Sequence, residues 1–174
     1  MADLVSHVLS AVLVRGRRPA DAKLLALISG TILPDLLSRA PLIAWDAMQD
    51  AGMFAVVSME REVMLGFTLP HTPVGLLLIA LWIAVLLPQR LADPLSRAAV
   101  AGWIGMGGIL HLVVDLLQEH LQPGYILLYP FSVRGFELGW MRSDGSVWIL
   151  PWLALACLWL RVRSRSAKGS ARPS

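Results

Sequence analysis

Five ionisable side chains stand inside otherwise apolar stretches of this 174-residue chain: His7, Asp35, His71, His111 and Asp115. The sharpest pair is His111-Leu112-Val113-Val114-Asp115. Residues i and i+4 share one helix face. There an imidazole and a carboxylate can bind one metal ion, or the carboxylate can orient the histidine behind it. A His–Asp hydrogen bond locking two helices uses the same spacing.

The other three sit in more ambiguous settings. His7 belongs to a polar stripe of Asp3, Ser6, His7 and Ser10, opposite Leu4, Val5, Val8, Leu9 and Val12. That is an amphipathic helix, either lying at a membrane surface or turning its polar face inward. Asp3 and His7 repeat the acid–imidazole spacing, which places Asp3 as a partner behind His7. Asp35 follows Pro34, which removes a backbone donor and should break or kink the helix. A carboxylate beside a broken membrane helix is a frequent ion-site arrangement; a salt bridge to Arg39, also i+4, is the alternative. His71 lies between Pro70 and Pro73, where it is either a structural hydrogen bonder or a ligand. Three imidazoles and two carboxylates suit zinc, or a similar divalent ion, better than a thiolate site does.

The elements that must carry these groups are apolar helices. Hydrophobic residues make up 56% of the chain and charged residues 16%, with a mean hydropathy of +0.64. Soluble domains average about 45–50% and about 25%. Val63–Gln89, Ala98–Val114 and Gly145–Leu160 contain no Asp, Glu, Lys or Arg. Stretches of about 17–25 apolar residues cross a bilayer as helices. Four spans follow, at about Leu24–Trp45, Phe67–Leu87, Ala98–Leu117 and Gly145–Leu160. The segment Asp3–Val14 rises only about 18 Å and is too short to cross alone. The fold class is thus all-α: a polytopic membrane bundle of about four transmembrane helices, plus a short N-terminal amphipathic or re-entrant helix. Residues 1–162 form the membrane-embedded domain, and 163–174 a disordered basic cytoplasmic tail.

Charge gives the sidedness. Arg15–Lys23 and the segment after Leu160 are basic, whereas Trp45–Gly66 and Gln118–Asp144 carry most of the acids. Basic loops mark the cytoplasmic side, so both termini are placed there, in a cell (inner) membrane. The net charge of +3 is explained by this flanking, and no nucleic-acid partner is expected. Asp3 stands where a basic n-region would be, so the opening segment is not read as a secretory signal. The lone Cys157 allows no intramolecular disulfide. Ala101, Gly105 and Gly108 share one face of the third span and suit close helix packing.

Helix rise puts the ionisable groups at matching depths. His71 lies about 27 Å from Gln89, Asp115 about 27 Å from Arg97, and Asp35 about 18 Å from Lys23. All fall in the outer half of the membrane, where ionisable residues are costly and therefore functional candidates.

His7, Gly30-Thr31-Ile32-Leu33-Pro34-Asp35, His71-Thr72-Pro73, His111-Leu112-Val113-Val114-Asp115 and Tyr129-Pro130-Phe131-Ser132 occur in that order. In this the chain resembles, over roughly residues 3–160, the YdjM-like family of small integral membrane proteins described as metal-dependent hydrolases. The family's ligand pattern is similar to that of zinc-dependent phospholipase C. The resemblance implies His7, Asp35, His71, His111 and Asp115 as metal ligands. Many members carry a His-Arg pair shortly before the histidine matched by His71; this chain has Gly66 and Phe67 there.

The function expected is hydrolysis of an ester or phosphoester by a water that a divalent ion, zinc, acidifies. Asp35 or Asp115 would act as general base. The Gln118–Asp144 loop would cover the site, with Arg134 for an anionic group and Tyr125, Tyr129 and Phe131 for a lipid tail. Glu119, His120 and Glu137 are spare acid–base candidates or solvated loop residues. The partners expected are the lipid bilayer and a lipid or lipid-linked substrate, with a homo-oligomer allowed. A non-enzymatic membrane protein with a structural or transported ion is the competing reading, and a membrane tether with a partner-binding basic tail is a third.

Overall fold

The computed structural model describes residues 4–16, 21–49, 68–119, 124–142 and 145–169, with side chains for all of these except 39–49, 145–147 and 164–169. Asp3, His120 and the side chain of Arg39 lie outside that set. The described residues form six α-helices and one 3-10 turn, with no strand: α1 Leu4–Arg15, α2 Ala22–Gln49, the turn Leu69–His71, α3 Pro73–Leu86, α4 Gln89–Ala92, α5 Arg97–Leu116 and α6 Gly145–Gly169. The all-α expectation holds.

Local chemistry sets the helix ends. Gly16 takes φ +65° after α1, and its N–H donates to the Val12 and Leu13 carbonyls, a glycine stop. Asp21 opens α2 by accepting from the Leu24 N–H at 2.9 Å, an N-cap. Thr72 caps α3 through Gly75 N–H at 3.0 Å, and Pro73 occupies the first helical position, where its missing N–H costs nothing. Ser96 caps α5 through Ala99 N–H at 3.2 Å.

Three expectations need correction. Pro34 does not break its helix: α2 runs unbroken from Ala22 to Gln49. The proline removes a single i→i−4 bond, to the Gly30 carbonyl, and the flanking turns carry the helix through. The segment Phe67–Leu87 is not one continuous α-helix: the 3-10 turn Leu69–His71, with Pro70 in its first turn, precedes α3, which starts at Pro73. The basic tail is not disordered from residue 163, since α6 continues to Gly169. Arg, Ala and Lys are good helix formers, and the glycine is where propensity falls.

α5 is the central helix. It packs against α2, α3 and α1, and α6 packs on α1, where the Cys157 thiol lies 3.6 Å from the Leu9 carbonyl. A Cβ on Gly30 would stand 2.0 Å from the Ile104 carbonyl oxygen, and one on Gly107 would stand 2.2 Å from that of Leu27. The two glycines therefore let the α2 and α5 backbones touch. The Gly105 and Gly108 face meets α3 at Ala80 and Leu76, so α5 uses two small-residue faces where one was expected.

Polarity runs from inside to outside. Ser6, His7, Thr31, Asp35, Ser38, His71, His111, Asp115 and Gln118 are buried, while Leu25, Leu77, Leu81, Trp82, Val85, Ile109, Trp152 and Trp159 are exposed. The polar stripe of α1 faces the interior, and Leu4, Val5 and Val14 face outward. The inward alternative for His7 is thus the observed one. Among the described residues, one helix, Arg97–Leu116, is long and apolar enough to cross a membrane; Leu4–Arg15 and Pro73–Leu86 are apolar but shorter.

Candidate metal centre

Four elements bring the five ionisable groups together near one end of the bundle. α1 supplies His7, α2 supplies Asp35, the 3-10 turn supplies His71, and the last turns of α5 supply His111 and Asp115. His71 is set by Thr72 and Gly75. The Thr72 hydroxyl donates to the Leu69 carbonyl at 2.8 Å. A Cβ on Gly75 would lie 1.8 Å from that same carbonyl oxygen, so only glycine lets the turn fold down onto α3.

The ligand atoms converge. His7 Nε2 lies 3.2 Å from Asp115 Oδ1 and 4.0 Å from Asp35 Oδ2. His71 Nε2 lies 3.4 Å from Asp35 Oδ1, and His111 Nε2 lies 3.3 Å from Asp115 Oδ2. The His7 and His111 rings stack with centroids 4.1 Å apart. The atoms form two overlapping groups, His7–Asp35–His111 and His71–His111–Asp115, each with all ligand atoms within 4.8 Å of one another.

The contacts are not ordinary His–Asp hydrogen bonds. All three Nε2 atoms are buried and make no hydrogen bond among the described residues, although carboxylate oxygens stand 3.2, 3.3 and 3.4 Å away. An unpaired buried polar atom costs about 1–3 kcal/mol, and three around one point require an explanation. Donors about 2.0–2.1 Å from a tetrahedral ion are about 3.3 Å apart, close to the 3.2, 3.3 and 3.4 Å found here. Two carboxylates buried among imidazoles also leave negative charge that must be balanced. This donor set can hold a divalent ion, with all five groups available as ligands.

His111 shows the outer support of such a site. Its Nδ1 lies 2.8 Å from the Thr31 carbonyl oxygen. A carbonyl only accepts, so Nδ1 carries a proton, and in the neutral ring the lone pair is then at Nε2, as in ligating histidines generally.

In comparisons with family models, curated proteins and solved structures, the chain matches none. The chemistry therefore rests on the residues themselves.

The loop residues fare differently. Residues 124–142 return to the end of α5: Leu138 N–H donates to the Leu116 carbonyl at 2.8 Å, Met141 N–H to that of Leu117 at 3.0 Å, and Glu119 N–H to that of Met141 at 2.7 Å. The first two of these bonds satisfy carbonyls a helix end leaves orphaned. Tyr125 was expected at a lipid tail, yet its hydroxyl donates to Asp115 Oδ2 at 2.5 Å. Arg134 is exposed and Tyr129 half-buried. No described hydrogen bond, ion pair or ring contact joins either to the five residues.

Two supports of the cluster, Thr31 and Tyr125, were not assigned that role from the sequence. Thr31 acts through its backbone carbonyl, which no side-chain pattern reveals. Tyr125 sits in a loop without periodicity. Gln118 is buried, with Oε1 lacking a hydrogen bond among the described residues.

Proposed function

We propose that this chain is a membrane-embedded, metal-dependent hydrolase of an ester or phosphoester, with zinc as the ion and a lipid or lipid-linked substrate. One observation carries the reading: three histidine Nε2 atoms and two carboxylates from four separate elements meet in one buried cluster. When bound, a divalent ion supplies a Lewis acid and brings the acidity of water toward neutral pH.

The residues divide the remaining work. Asp115 is committed on both oxygens, Oδ1 toward His7 and Oδ2 toward His111 and Tyr125. The general-base role is assigned to Asp35 or Asp115; Asp35 faces His71 at 3.4 Å and His7 at 4.0 Å. In this reading the loop bonded to the end of α5 shields the cluster, and we assign Arg134 and Tyr129, on that loop, to a substrate headgroup. The membrane setting is supported by the apolar exterior and by the basic segments at Arg15–Lys23 and after Leu160. We read these as four spans of an inner-membrane protein with both ends cytoplasmic.

A structural or transported ion is the second reading, and one observation favours it. All five groups are buried, and a closed ligand set leaves no open position, whereas a catalytic site keeps one. Protein purified in detergent separates the two. Zinc content and hydrolysis of a panel of phosphodiesters and lipid esters are measured for wild type, His71→Ala and Asp115→Ala. Hydrolysis lost in both variants supports the enzyme. A zinc-loaded wild type inert on the whole panel supports the structural ion.

A further inference from the structure

The phenol of Tyr125 joins the loop to two of the candidate ligands at once. Its hydroxyl donates to Asp115 Oδ2 at 2.5 Å. Its ring stacks on His71 with centroids 5.5 Å apart and planes 21° from parallel. Asp115 comes from α5 and His71 from the 3-10 turn before α3, so the one side chain bridges two elements.

The backbone around Tyr125 is fixed. Its N–H donates to the Phe136 carbonyl and its carbonyl accepts from the Phe136 N–H, both at 2.9 Å. Past Phe136 the loop is bonded to the last carbonyls of α5 through Leu138 and Met141. A Cβ on Gly124 would stand 2.4 Å from the Phe136 carbonyl oxygen, so the two loop arms are in direct contact at the residue before the tyrosine. The phenol is thus held by the same helix end whose last turns carry His111 and Asp115.

We infer that Tyr125 is a positioning residue of the metal centre: its hydroxyl fixes the Asp115 carboxylate with Oδ1 toward His7, and its ring fixes the His71 imidazole. This rests on the metal-site reading above. A phenol O–H to a carboxylate is a charge-assisted bond. It selects one carboxylate orientation, as outer partners of ligands do, and losing such a partner typically costs about 10–100-fold in metal affinity. The loop then does more than cover the cluster, because seating it on α5 completes the ligand geometry.

The test uses the full chain in detergent with cobalt(II) as the probe, read by its visible ligand-field absorption and by zinc competition. Tyr125→Phe keeps the ring and removes the hydroxyl; Tyr125→Leu removes both. Tyr125→Phe is expected to bind zinc about 10-fold more weakly or worse and to shift the cobalt spectrum, and Tyr125→Leu to lose more on both counts. The melting temperature of each metal-free variant reports folding separately. A variant that melts lower but keeps wild-type affinity and spectrum overturns the inference, since a purely structural tyrosine would behave that way. A wild type that takes up neither metal overturns the metal-site reading, and this inference with it.

Discussion

His111 and Thr31, eighty residues apart in sequence, are joined by a 2.8 Å hydrogen bond from the imidazole Nδ1 to the backbone carbonyl. The bond links α5 to α2 at the depth of the cluster and dictates which histidine nitrogen is left for a ligand. It also gives a way to separate ligation from folding. The amide of an asparagine can place its N–H where Nδ1 stands, while offering nothing at the place of Nε2. His111→Asn is therefore expected to melt close to wild type, yet to lose zinc affinity by more than the roughly 10–100-fold that an outer partner is worth. Metal analysis of the purified variant beside its melting curve checks this. Wild-type zinc content in His111→Asn would remove His111 from the ligand set.

The contact of Gly30 with Gly107 is a second, independent handle. Each Cβ would collide with backbone of the opposite helix, at 2.0 Å and 2.2 Å, and backbone cannot rotate away as a side chain can. Gly30→Ala and Gly107→Ala should each destabilise the bundle by about 1–3 kcal/mol, the usual range of overpacking. Gly102→Ala, where a Cβ meets nothing within 4 Å, is the control and should be neutral or stabilising by helix propensity. Equal melting temperatures for all three would contradict the packing described.

The apolar exterior predicts lipid contact. Trp82 on α3, and Trp152 and Trp159 on α6, are exposed, as is Trp140 on the loop. In a bilayer of brominated lipids, chains retaining one of these tryptophans at a time should be strongly quenched for Trp82 and Trp152. Quenching should be weaker for Trp159, which lies near the basic end of its helix under the Arg163 guanidinium, 5.0 Å from the ring centroid. No quenching of Trp82 or Trp152 would argue for a partner protein, and not lipid, on that surface.

The junction of α1 and α2 carries a pH dependence. The Leu24 N–H, and after it the Arg15 guanidinium, hold the Asp21 carboxyl below its ordinary value. A carboxyl depressed in the folded state stabilises the fold above its unfolded pKa, and that stability is lost as pH falls through the folded value. The loss belongs below about pH 4. Asp21→Asn keeps the cap but cannot titrate, so its melting temperature should fall less than wild type's between pH 5 and pH 3. Parallel curves for the two proteins would show that Asp21 contributes no such term.

The sequence determined the inventory. The charge-free runs require helices, the i,i+4 spacing places His111 and Asp115 on one face, and the cost of ionisable groups in apolar stretches singles out His7, Asp35 and His71 as well. These are properties of local periodicity and composition, which a linear chain displays directly. Tertiary structure decided the rest. It turned the polar face of α1 inward, carried α2 through Pro34, and chose the Gly30–Gly107 contact over the small-residue stripe alone. It also recruited the Thr31 carbonyl and the Tyr125 hydroxyl as supports. Each of these depends on which surfaces meet after the helices pack. A backbone carbonyl or a loop tyrosine carries no spacing signal, and whether a polar stripe faces lipid or the interior is set by the partners waiting there. The five ionisable groups were legible one by one; their convergence exists only because four elements meet around them.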